Sequence, residues 1–364
     1  MTLVLALLVV TACTPRGTMT IVPPETVQGQ VTQVFVGTTR VMQPSGIYGL
    51  GRSEAMGFAR YDIAIPPCRK LGEIRFPPRG KVPDVTTDFL TTAQAVYPTE
   101  RAFRSDLSRA LRADGREAVI FVHGFNSTFT EGLYRIAQLS HDMEIPGVAV
   151  HYSWPSAAQP LGYVYDRDSM LFARSGLEDL IREVAAAGAS RITLVAHSMG
   201  AALMMEALRQ IAMRDGKVMP QIEGVILISP DIDVDVFRMQ AREIGTLPQP
   251  FLIFGSGRDR VLRLSAWITG QNGRLGTLTD MSRVADLEVT YLDVGAFSEG
   301  GGHFTAGTSE ALILLMGRIG EVEQAFGRDV SGRAGLLPGV ILTVRSATQI
   351  ILLPVAEITG DALR

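Results

Sequence analysis

The chain has 364 residues, which is enough for one large domain with additions or for two small domains. Hydrophobic residues make up 46% of the chain and supply ample material for a core, while the formal net charge at pH 7 is only −3. Because basic and acidic residues are intermixed, the sequence lacks the basic stripe or patch that nucleic-acid binding requires, and no nucleic-acid partner is expected.

The first dozen residues predict export from the cytoplasm. Residues 3–10 form an apolar run that is too short to span a bilayer as a helix, and small residues follow it before Cys13. Residues 10–13, Val-Thr-Ala-Cys, resemble a bacterial lipobox, after which the signal is cleaved and the cysteine carries lipid. The resemblance implies a lipoprotein signal peptide over residues 1–12, lipidation of Cys13, and a membrane anchor that holds the protein in the bacterial cell envelope, facing the periplasm.

Two features at this end leave alternatives open. An ordinary signal peptide or a buried apolar N-terminus is the competing interpretation, and the sequence departs from the signal pattern in that no lysine or arginine precedes the apolar run. Cys68 has no disulfide partner if Cys13 carries lipid, whereas a Cys13–Cys68 disulfide would suit an oxidising periplasm. Thr14, rather than aspartate, follows Cys13, and the resemblance to lipoproteins then implies the outer membrane rather than the inner one.

The next hundred residues predict a tether and a β-rich region. Residues 13–30 are rich in Thr, Pro, Gly and Gln, which is typical of a tether. Val31–Val36 has the composition of a strand, and Arg60–Ile65 alternates polar and apolar side chains as a half-buried strand does. We therefore expect an N-terminal β-rich extension over residues 31–115, with an antiparallel hairpin region against the main sheet.

From residue 118 the pattern changes to continuous apolar strands separated by amphipathic helices. This pattern predicts an α/β domain over residues 116–327, with a mostly parallel central sheet and helices on both faces. The last core helix is expected at Glu310–Phe326. The predicted strands are Ala118–Val122, Val148–Tyr152, Arg191–Ala196, Gly224–Ser229, Phe251–Gly255 and Leu287–Val294.

The third of these strands runs directly into Ala196-His197-Ser198-Met199-Gly200 and then into an Ala-rich helical segment. A strand, a sharp turn bearing a serine and a helix are typical of the nucleophile elbow of an α/β-hydrolase. The two positions on either side of the serine must be small, because other backbone passes close to the turn. Ala196 and Gly200 meet this condition, although the first position is usually glycine. Ser198 is the candidate nucleophile.

A serine nucleophile needs a histidine to take its proton and a carboxylate to orient that histidine. In this fold the order along the chain is serine, acid, histidine. Asp259 follows the strand at Phe251–Gly255, and His303 is the only histidine after Ser198, in a glycine-rich loop before the last helix. We predict Asp259 and His303 as the other catalytic residues.

Asp231 is the alternative acid, because it follows the preceding strand, from which some hydrolases take their carboxylate. The acidic cluster at Ser229–Asp235 has a second interpretation, which is capping of a helix N-terminus and favourable charge in its first turn. The cluster lacks the glycine turn and distal glutamate of a calcium loop.

His123-Gly124-Phe125-Asn126 follows the first predicted strand of the domain and marks a candidate oxyanion loop. At this place in hydrolases a backbone N–H faces the developing oxyanion, and the residue after the nucleophile supplies the second donor. This assigns the oxyanion hole to the amides of Phe125 and Met199, with His123 orienting the loop. The alternative is a plain strand-to-helix turn capped by Asn126 or its neighbour.

The remaining histidines and one aromatic segment have structural interpretations. We expect His197 to pack beneath the turn, His141 to lie at a helix end and His151 to lie in a strand. Tyr152–Ser156 either lines the pocket or packs under a loop.

The C-terminal residues 328–364 predict an apolar extension. Leu336–Ile358 is strongly apolar, but Pro338 and Pro354 interrupt it, which a membrane-spanning helix tolerates poorly. Two short strands or a surface-docking segment fit it better.

From about residue 31 to 327 the chain resembles a bacterial branch of the α/β-hydrolases, an esterase/lipase-like group without an assigned function. The resemblance implies a serine hydrolase fold and no particular substrate. The matching segments are Val36–Arg40, His123–Asn126, Tyr152–Ser156, Ala196–Gly200 and Ser229–Asp233.

The sequence thus predicts an exported serine hydrolase that cleaves a carboxylic ester through an acyl-enzyme intermediate and needs no metal or cofactor. The expected substrate is a small-molecule or lipid ester. Two alternatives stay open. An acyltransferase would use the same three residues with an alcohol in place of water. A non-catalytic envelope scaffold would bind a partner through its anchor and apolar tail, and the three filled catalytic positions argue against it.

Overall fold

The computed structural model describes residues 16–270, 273–297, 303–316, 339–344 and 347–352 of the chain. Cys13 and the predicted signal peptide lie outside these residues, as does most of the predicted C-terminal extension. The strands are β1 Gln30–Met42, β2 Tyr48–Ile65, β3 Leu90–Tyr97, β4 Glu117–Val122, β5 Val148–Ser153, β6 Arg191–His197, β7 Ile222–Ile228, β8 Phe251–Gly255, β9 Thr290–Asp293, β10 Gly339–Val344 and β11 Ala347–Leu352.

Eight α-helices lie among the described residues, and most of them connect parallel strands. None of the described helices has both the length and the apolar character needed to cross a bilayer. The helices are α1 Glu100–Ala113, α2 Phe129–Asp142, α3 Tyr163–Ala186, α4 Met199–Asp215, α5 Val234–Ile244, α6 Arg260–Ile268, α7 Thr305–Thr308 and α8 Glu310–Met316.

The eleven described strands form one sheet in the order β10-β11-β9-β8-β7-β6-β4-β5-β1-β2-β3. The pairs from β11 through to β1 are parallel, while β1–β2, β2–β3 and β10–β11 are antiparallel. Helices joining parallel strands in this order give the α/β-hydrolase fold, and the antiparallel strands β1, β2 and β3 stand at the N-terminal end of the chain. The predicted fold class is therefore confirmed.

The sheet separates two hydrophobic cores because successive strand residues point to opposite faces. In β4, Ile120 and Val122 join one core, whereas Val119 and Phe121 join the other. Helices α1, α3, α4 and α5 cover the first face, and α2 with α8 covers the second. With both faces covered, the carboxyl edge of the parallel strands is where loops and side chains can form a site.

Helix α1 and several element boundaries differ from the prediction. Thr99 caps α1 by accepting from the amide of Ala102, and Phe103, Leu107 and Leu111 are buried at a four-residue spacing. Strand β9 is shorter than predicted at both ends. The apolar C-terminal segment contains the antiparallel pair β10–β11, so two short strands describe it better than a docking segment.

The first described residues run along the edge of the sheet. Thr91 of β3 accepts a hydrogen bond from Val22 (3.0 Å) and donates one to Thr20 (2.9 Å). Gly17 passes so close to the Phe76 ring that a side-chain carbon there would lie 2.4 Å from it. These contacts bring Arg16 to the carboxyl edge of the sheet, next to the loop after β4.

Candidate active site

Ser198 stands at a sharp turn between β6 and α4. Its φ of 52° and ψ of −122° are sparsely populated by non-glycine residues, a conformation that costs about 1–3 kcal/mol and is held by its surroundings. The Ser198 amide donates to Ile228 (2.9 Å), and its carbonyl accepts from the amide of Asp231 (3.1 Å). A side-chain carbon on Gly200 would lie 2.3 Å from the His123 carbonyl oxygen, so only glycine fits there.

The structure brings Ser198, His303 and Asp259 into one hydrogen-bonded chain. The Ser198 hydroxyl lies 3.0 Å from His303 Nε2, and His303 Nδ1 lies 2.9 Å from Asp259 Oδ2. A carboxylate only accepts, so Nδ1 carries the imidazole proton and Nε2 is free to take the proton of the serine hydroxyl. This is the geometry of a general base poised on a nucleophile.

The Asp259 carboxylate is fully buried and is fixed by the helix that follows it. Its Oδ1 accepts from the amides of Val261 and Leu262, both at 3.0 Å, as the N-cap of α6. This leaves Oδ2 for His303. One carboxylate thus caps a helix with one oxygen and orients the imidazole with the other.

Asp231, the alternative acid, is engaged elsewhere. Its Oδ2 accepts from the Tyr163 hydroxyl (2.9 Å), and its Oδ1 accepts from Ser265 Oγ (2.6 Å) and pairs with Arg274 Nε (3.0 Å). Asp231 therefore ties α3 to α6, and of the two aspartates the structure places Asp259 beside His303. The neighbouring Asp233 caps α5, which is the second interpretation of the acidic cluster.

The loop His123–Ser127 passes directly over the serine. A side-chain carbon on Gly124 would lie 2.6 Å from His197 Nδ1 and 2.9 Å from Ser198 Cβ, so this position accommodates only glycine. The amides of Phe125 and Met199, predicted to form the oxyanion hole, have no hydrogen-bond partner among the described residues. Both donors are therefore available to a ligand at the serine.

The aromatic segment after β5 packs beneath this loop. Trp154 is fully buried, stacks on the His123 ring (11° between the planes) and donates from Nε1 to the His123 carbonyl (2.7 Å). Burial, with the nearby Arg40 charge, holds the pKa of His123 well below its usual range, so its ring stays neutral. Of the two interpretations of this segment, the structure supports packing under the loop.

Arg40, at the end of the Val36–Arg40 motif in β1, is buried without a carboxylate in contact. Burial lowers the pKa of its guanidinium to about 9, opposed chiefly by the charge of Asp166. Its N–H groups all have partners, so the desolvated charge is satisfied by fixed acceptors. These acceptors are Ser153 Oγ (2.9 Å), the carbonyls of Gly49 (3.0 Å), Ser127 (3.0 Å) and Ser156 (3.3 Å), and His123 Nε2 (3.4 Å).

Asp166 of α3 holds the same loop from its other side. Its carboxylate accepts from the Asn126 amide (3.2 Å), the Ala157 amide (2.6 Å) and Ser156 Oγ (2.6 Å). Burial raises the pKa of Asp166. Asp166 and Arg40 thus fix the backbone of Asn126 and Ser127, directly after Phe125, and sequence reasoning assigned a role to neither residue.

His197 contacts His303 rather than only packing beneath the turn. Its Nε2 lies 3.2 Å from the His303 carbonyl, and because a carbonyl only accepts, Nε2 carries the proton. The two rings lie 4.8 Å apart. Burial, reinforced by His303, holds the pKa of His197 well below its usual range, so a neutral ring positions the His303 backbone.

The other predicted residues lie away from the serine or outside the described residues. His141 is in the last turn of α2, and His151 is buried in β5, where its Nδ1 donates to Phe121 (3.1 Å). Cys68 is exposed, and Cys13, its partner in the alternative disulfide, lies outside the described residues.

Comparisons with known proteins agree with this architecture. A family described as "Alpha/beta hydrolase of unknown function (DUF900)" matches residues 99–302, which is more than half of the chain. This range includes Ser198 and Asp259 and ends just before His303. No protein with a curated function matches the sequence.

Among solved structures, the chain is similar to several hydrolases at low sequence identity. An esterase/lipase from an uncultured bacterium is 13% identical, with a TM-score of 0.39 over 88% of this chain and 97% of that chain. Esterase B from Lactobacillus rhamnosis is 15% identical, with a TM-score of 0.35 over 58% and 79%. The RedJ thioesterase of prodiginine biosynthesis from Streptomyces coelicolor is 15% identical, with a TM-score of 0.31 over 56% and 85%.

Proposed function

We propose a reaction for this chain from the premise that it belongs to the family of alpha/beta hydrolases of unknown function (DUF900). The chain is a serine hydrolase that cleaves a carboxylic ester through an acyl-enzyme intermediate. The observation that carries the proposal is the hydrogen-bonded chain from Ser198 Oγ through the His303 ring to the buried Asp259 carboxylate. This series of hydrogen bonds activates a serine nucleophile, whereas a non-catalytic scaffold has no chemical need for it.

In the acylation step, Ser198 Oγ bonds to the ester carbonyl carbon while His303 Nε2 takes the hydroxyl proton. The carbonyl π electrons move to oxygen, where the amides of Phe125 and Met199 donate to the negative charge. Asp259 stabilises the imidazolium that forms. As the tetrahedral intermediate collapses, the ester C–O bond breaks and the leaving alcohol takes the proton from His303.

In the deacylation step, water replaces the alcohol. His303 takes a proton from water as its oxygen bonds to the acyl carbon, and a second tetrahedral intermediate forms at the same two amides. Collapse of this intermediate returns the proton to Ser198 Oγ and releases the carboxylic acid. The ester, water and the residues of the chain together balance both steps.

The place of action is the bacterial cell envelope. The lipobox-like residues before Cys13 support cleavage after residue 12, lipidation of Cys13 and a periplasm-facing position, with the outer membrane favoured by Thr14. The first described residues lead from this end of the chain along the edge of the sheet, and Arg16 among them contacts the loop after β4.

Covalent labelling with a fluorophosphonate tests the nucleophile directly. The purified full chain is expected to incorporate one probe, and Ser198→Ala to incorporate none, because only a serine with a proton-accepting partner attacks the phosphorus. Ser190→Ala is the matched control, since Ser190 is exposed at the other edge of the sheet, and it should label like the wild type. A folded wild-type protein that does not label would overturn the proposal.

A further inference from the structure

Helix α6, which begins directly after Asp259, presents an apolar face to solvent. Leu262, Ser265 and Ala266 point into the protein, whereas the opposite stripe of the helix is exposed. Trp267 is 77% exposed and Leu264 54% exposed, and Val261 and Ile268 complete the stripe. A large exposed patch of this kind marks an interaction site rather than ordinary surface.

The same helix carries positive charge that no described acid neutralises. Arg258, Arg260 and Arg263 are exposed, and none of them forms an ion pair within the described part of the chain. The only acidic side chain between residues 255 and 270 is Asp259, which is buried. Apolar side chains with a tryptophan, flanked by free arginines, are the composition of a helix that lies in the headgroup region of an anionic membrane.

This helix is joined to the entrance of the site. Ser265 of α6 lies 2.8 Å from the Tyr163 hydroxyl at the start of α3, and the Tyr163 ring contacts the Phe125 ring (5.5 Å between centroids). Beside Tyr163, Leu161 is 99% exposed and Val164 is 70% exposed. The apolar surface therefore continues from α6 across the start of α3, next to the oxyanion loop.

Arg16 connects the N-terminal end of the chain to the same loop. It donates to the carbonyls of Asn126 (3.0 Å) and Ala158 (2.6 Å) and pairs with Glu131 (3.0 Å). Only two residues separate Arg16 from Cys13, so the two are at most about 10 Å apart along a fully extended chain. A lipid on Cys13 would hold the bilayer surface at the mouth of the active site.

We propose that the entrance face, which consists of Arg16, Leu161, Val164 and the exposed side chains of α6, lies on an anionic phospholipid membrane. The substrate is then a long-chain acyl ester embedded in that membrane. The substrate part of this inference rests on the proposed reaction, whereas the docking part rests on the exposed face and on the proposed lipid at Cys13. Charge complementarity with lipid phosphates and the position of Cys13 select a membrane over a protein partner or a second copy of the chain.

The two tryptophans of the chain provide a direct test of docking. Trp154 is buried and Trp267 is exposed, so quenching by brominated lipid tails reports on Trp267. The full, lipidated chain is placed in vesicles of phosphatidylethanolamine with phosphatidylglycerol, plain or brominated. Brominated vesicles should quench most of the Trp267 emission, and Trp267→Phe should show no difference between the two vesicles. Equal Trp267 emission in both vesicles would overturn docking, as would a face-to-face dimer that shields Trp267 from the lipid.

The substrate part is tested with dioleoylglycerol in the same vesicles. Leu264→Ser/Trp267→Ser should release oleate about tenfold more slowly than the wild type, because removing two large apolar groups weakens interfacial seating. Turnover of water-soluble p-nitrophenyl butyrate should not change. Met213→Ser, which alters an exposed apolar side chain at the far end of α4, is the matched control and should match the wild type in both assays.

The experiments distinguish a failure of this inference from a failure of the proposed serine hydrolase. Ser198→Ala should still show quenching of Trp267, since docking needs no catalysis, so a chain that fails to label with fluorophosphonate leaves the docking result standing. Equal oleate release by Leu264→Ser/Trp267→Ser and the wild type contradicts the membrane substrate, as does hydrolysis of p-nitrophenyl butyrate without any release of oleate. Either result leaves the serine hydrolase in place.

Discussion

His303 and Asp259 reach Ser198 from loops that follow β9 and β8, whereas the oxyanion loop reaches it from β4, and the two flanks are held in different ways. The His303 side chain remains partly exposed and is held by Asp259, by Ser198 and by a contact from His197 to its backbone. The oxyanion loop is fixed by buried polar groups from β1, from Trp154 directly after β5 and from α3.

This difference follows from what each flank must do. In the proposed reaction the imidazole gains and loses a proton in each half-reaction, so it needs one strong partner and access for water. The two amides of the predicted oxyanion hole keep the same protonation state throughout. They only have to be held in position before the reaction begins, as electrostatic preorganisation requires. The buried charge of Arg40 is costly, and it therefore lies where it holds the backbone of the oxyanion loop, away from the proton transfer.

The two buried aspartates give the largest expected effect. In Asp259→Asn, the amide oxygen can still cap α6, but the histidine loses its stabilising charge and its tautomer, so kcat for an ester should fall about 10⁴-fold. Asp231→Asn should reduce kcat by less than about tenfold, because Asp231 faces Tyr163, Ser265 and Arg274. Steady-state kinetics on p-nitrophenyl butyrate, with thermal unfolding of both variants, decides this. An equal loss in the two variants contradicts the assignment of Asp259.

Replacement of Arg40 tests the other flank. Arg40→Met removes the support of the Ser127 carbonyl and of His123, so kcat should fall about 10²- to 10³-fold with little change in KM. Affinity for a trifluoromethyl ketone, which forms a tetrahedral anion on the serine, should fall by the same factor. A loss of stability alone would not lower kcat and the inhibitor affinity by the same factor.

Two further variants control for folding in this experiment. Arg40→Lys keeps the charge but lacks the planar fork of donors, so it should not restore the rate. Arg104→Met breaks a surface pair with Glu183 and should leave kcat unchanged. If Arg40→Met lowers the unfolding temperature while kcat and inhibitor affinity stay at wild-type values, the positioning role is wrong.

The sequence identified the residues whose chemistry is local or ordered along the chain. Ser198 stands in a five-residue pattern, and His303 is the only histidine after it. The choice between Asp259 and Asp231 stayed open because both follow strands and both are buried. Only the distance to His303 separates them, and that distance depends on the twist and spacing of neighbouring strands.

The supporting residues were missed for a physical reason. Arg40 and Asp166 reach the oxyanion loop through contacts with residues 87 and 40 positions away, and an arginine in a strand has no pattern that distinguishes burial from exposure. The contacts of Arg16 could not be predicted, because the composition around it is typical of a tether without fixed contacts. Helix α1 was a different case, because the four-residue spacing of Phe103, Leu107 and Leu111 was present in the sequence and was not used.

The smallest expected effect concerns acid stability and involves His151, which lies beneath the oxyanion flank. Burial lowers its pKa to about 3, from about 6.5 in an unfolded chain. Below pH 6.5 the unfolded state therefore binds a proton that the folded state does not, so this residue stabilises the unfolded state increasingly as the pH falls. The loss is about 1.4 kcal/mol per pH unit, or about 2 kcal/mol between pH 6.5 and pH 5.

Urea unfolding at pH 7 and pH 5 measures this loss. In His151→Asn, which retains a donor for the Phe121 carbonyl, the free energy of unfolding should fall less between the two pH values, by up to the contribution of one proton. Ser190→Ala, which changes an exposed residue without a titratable side chain, is the matched control and should keep the wild-type pH dependence. If the free energy of unfolding of the His151 variant has the wild-type pH dependence, this contribution of His151 is wrong. The same measurement on His123 and His197 variants then tests the other two buried neutral histidines.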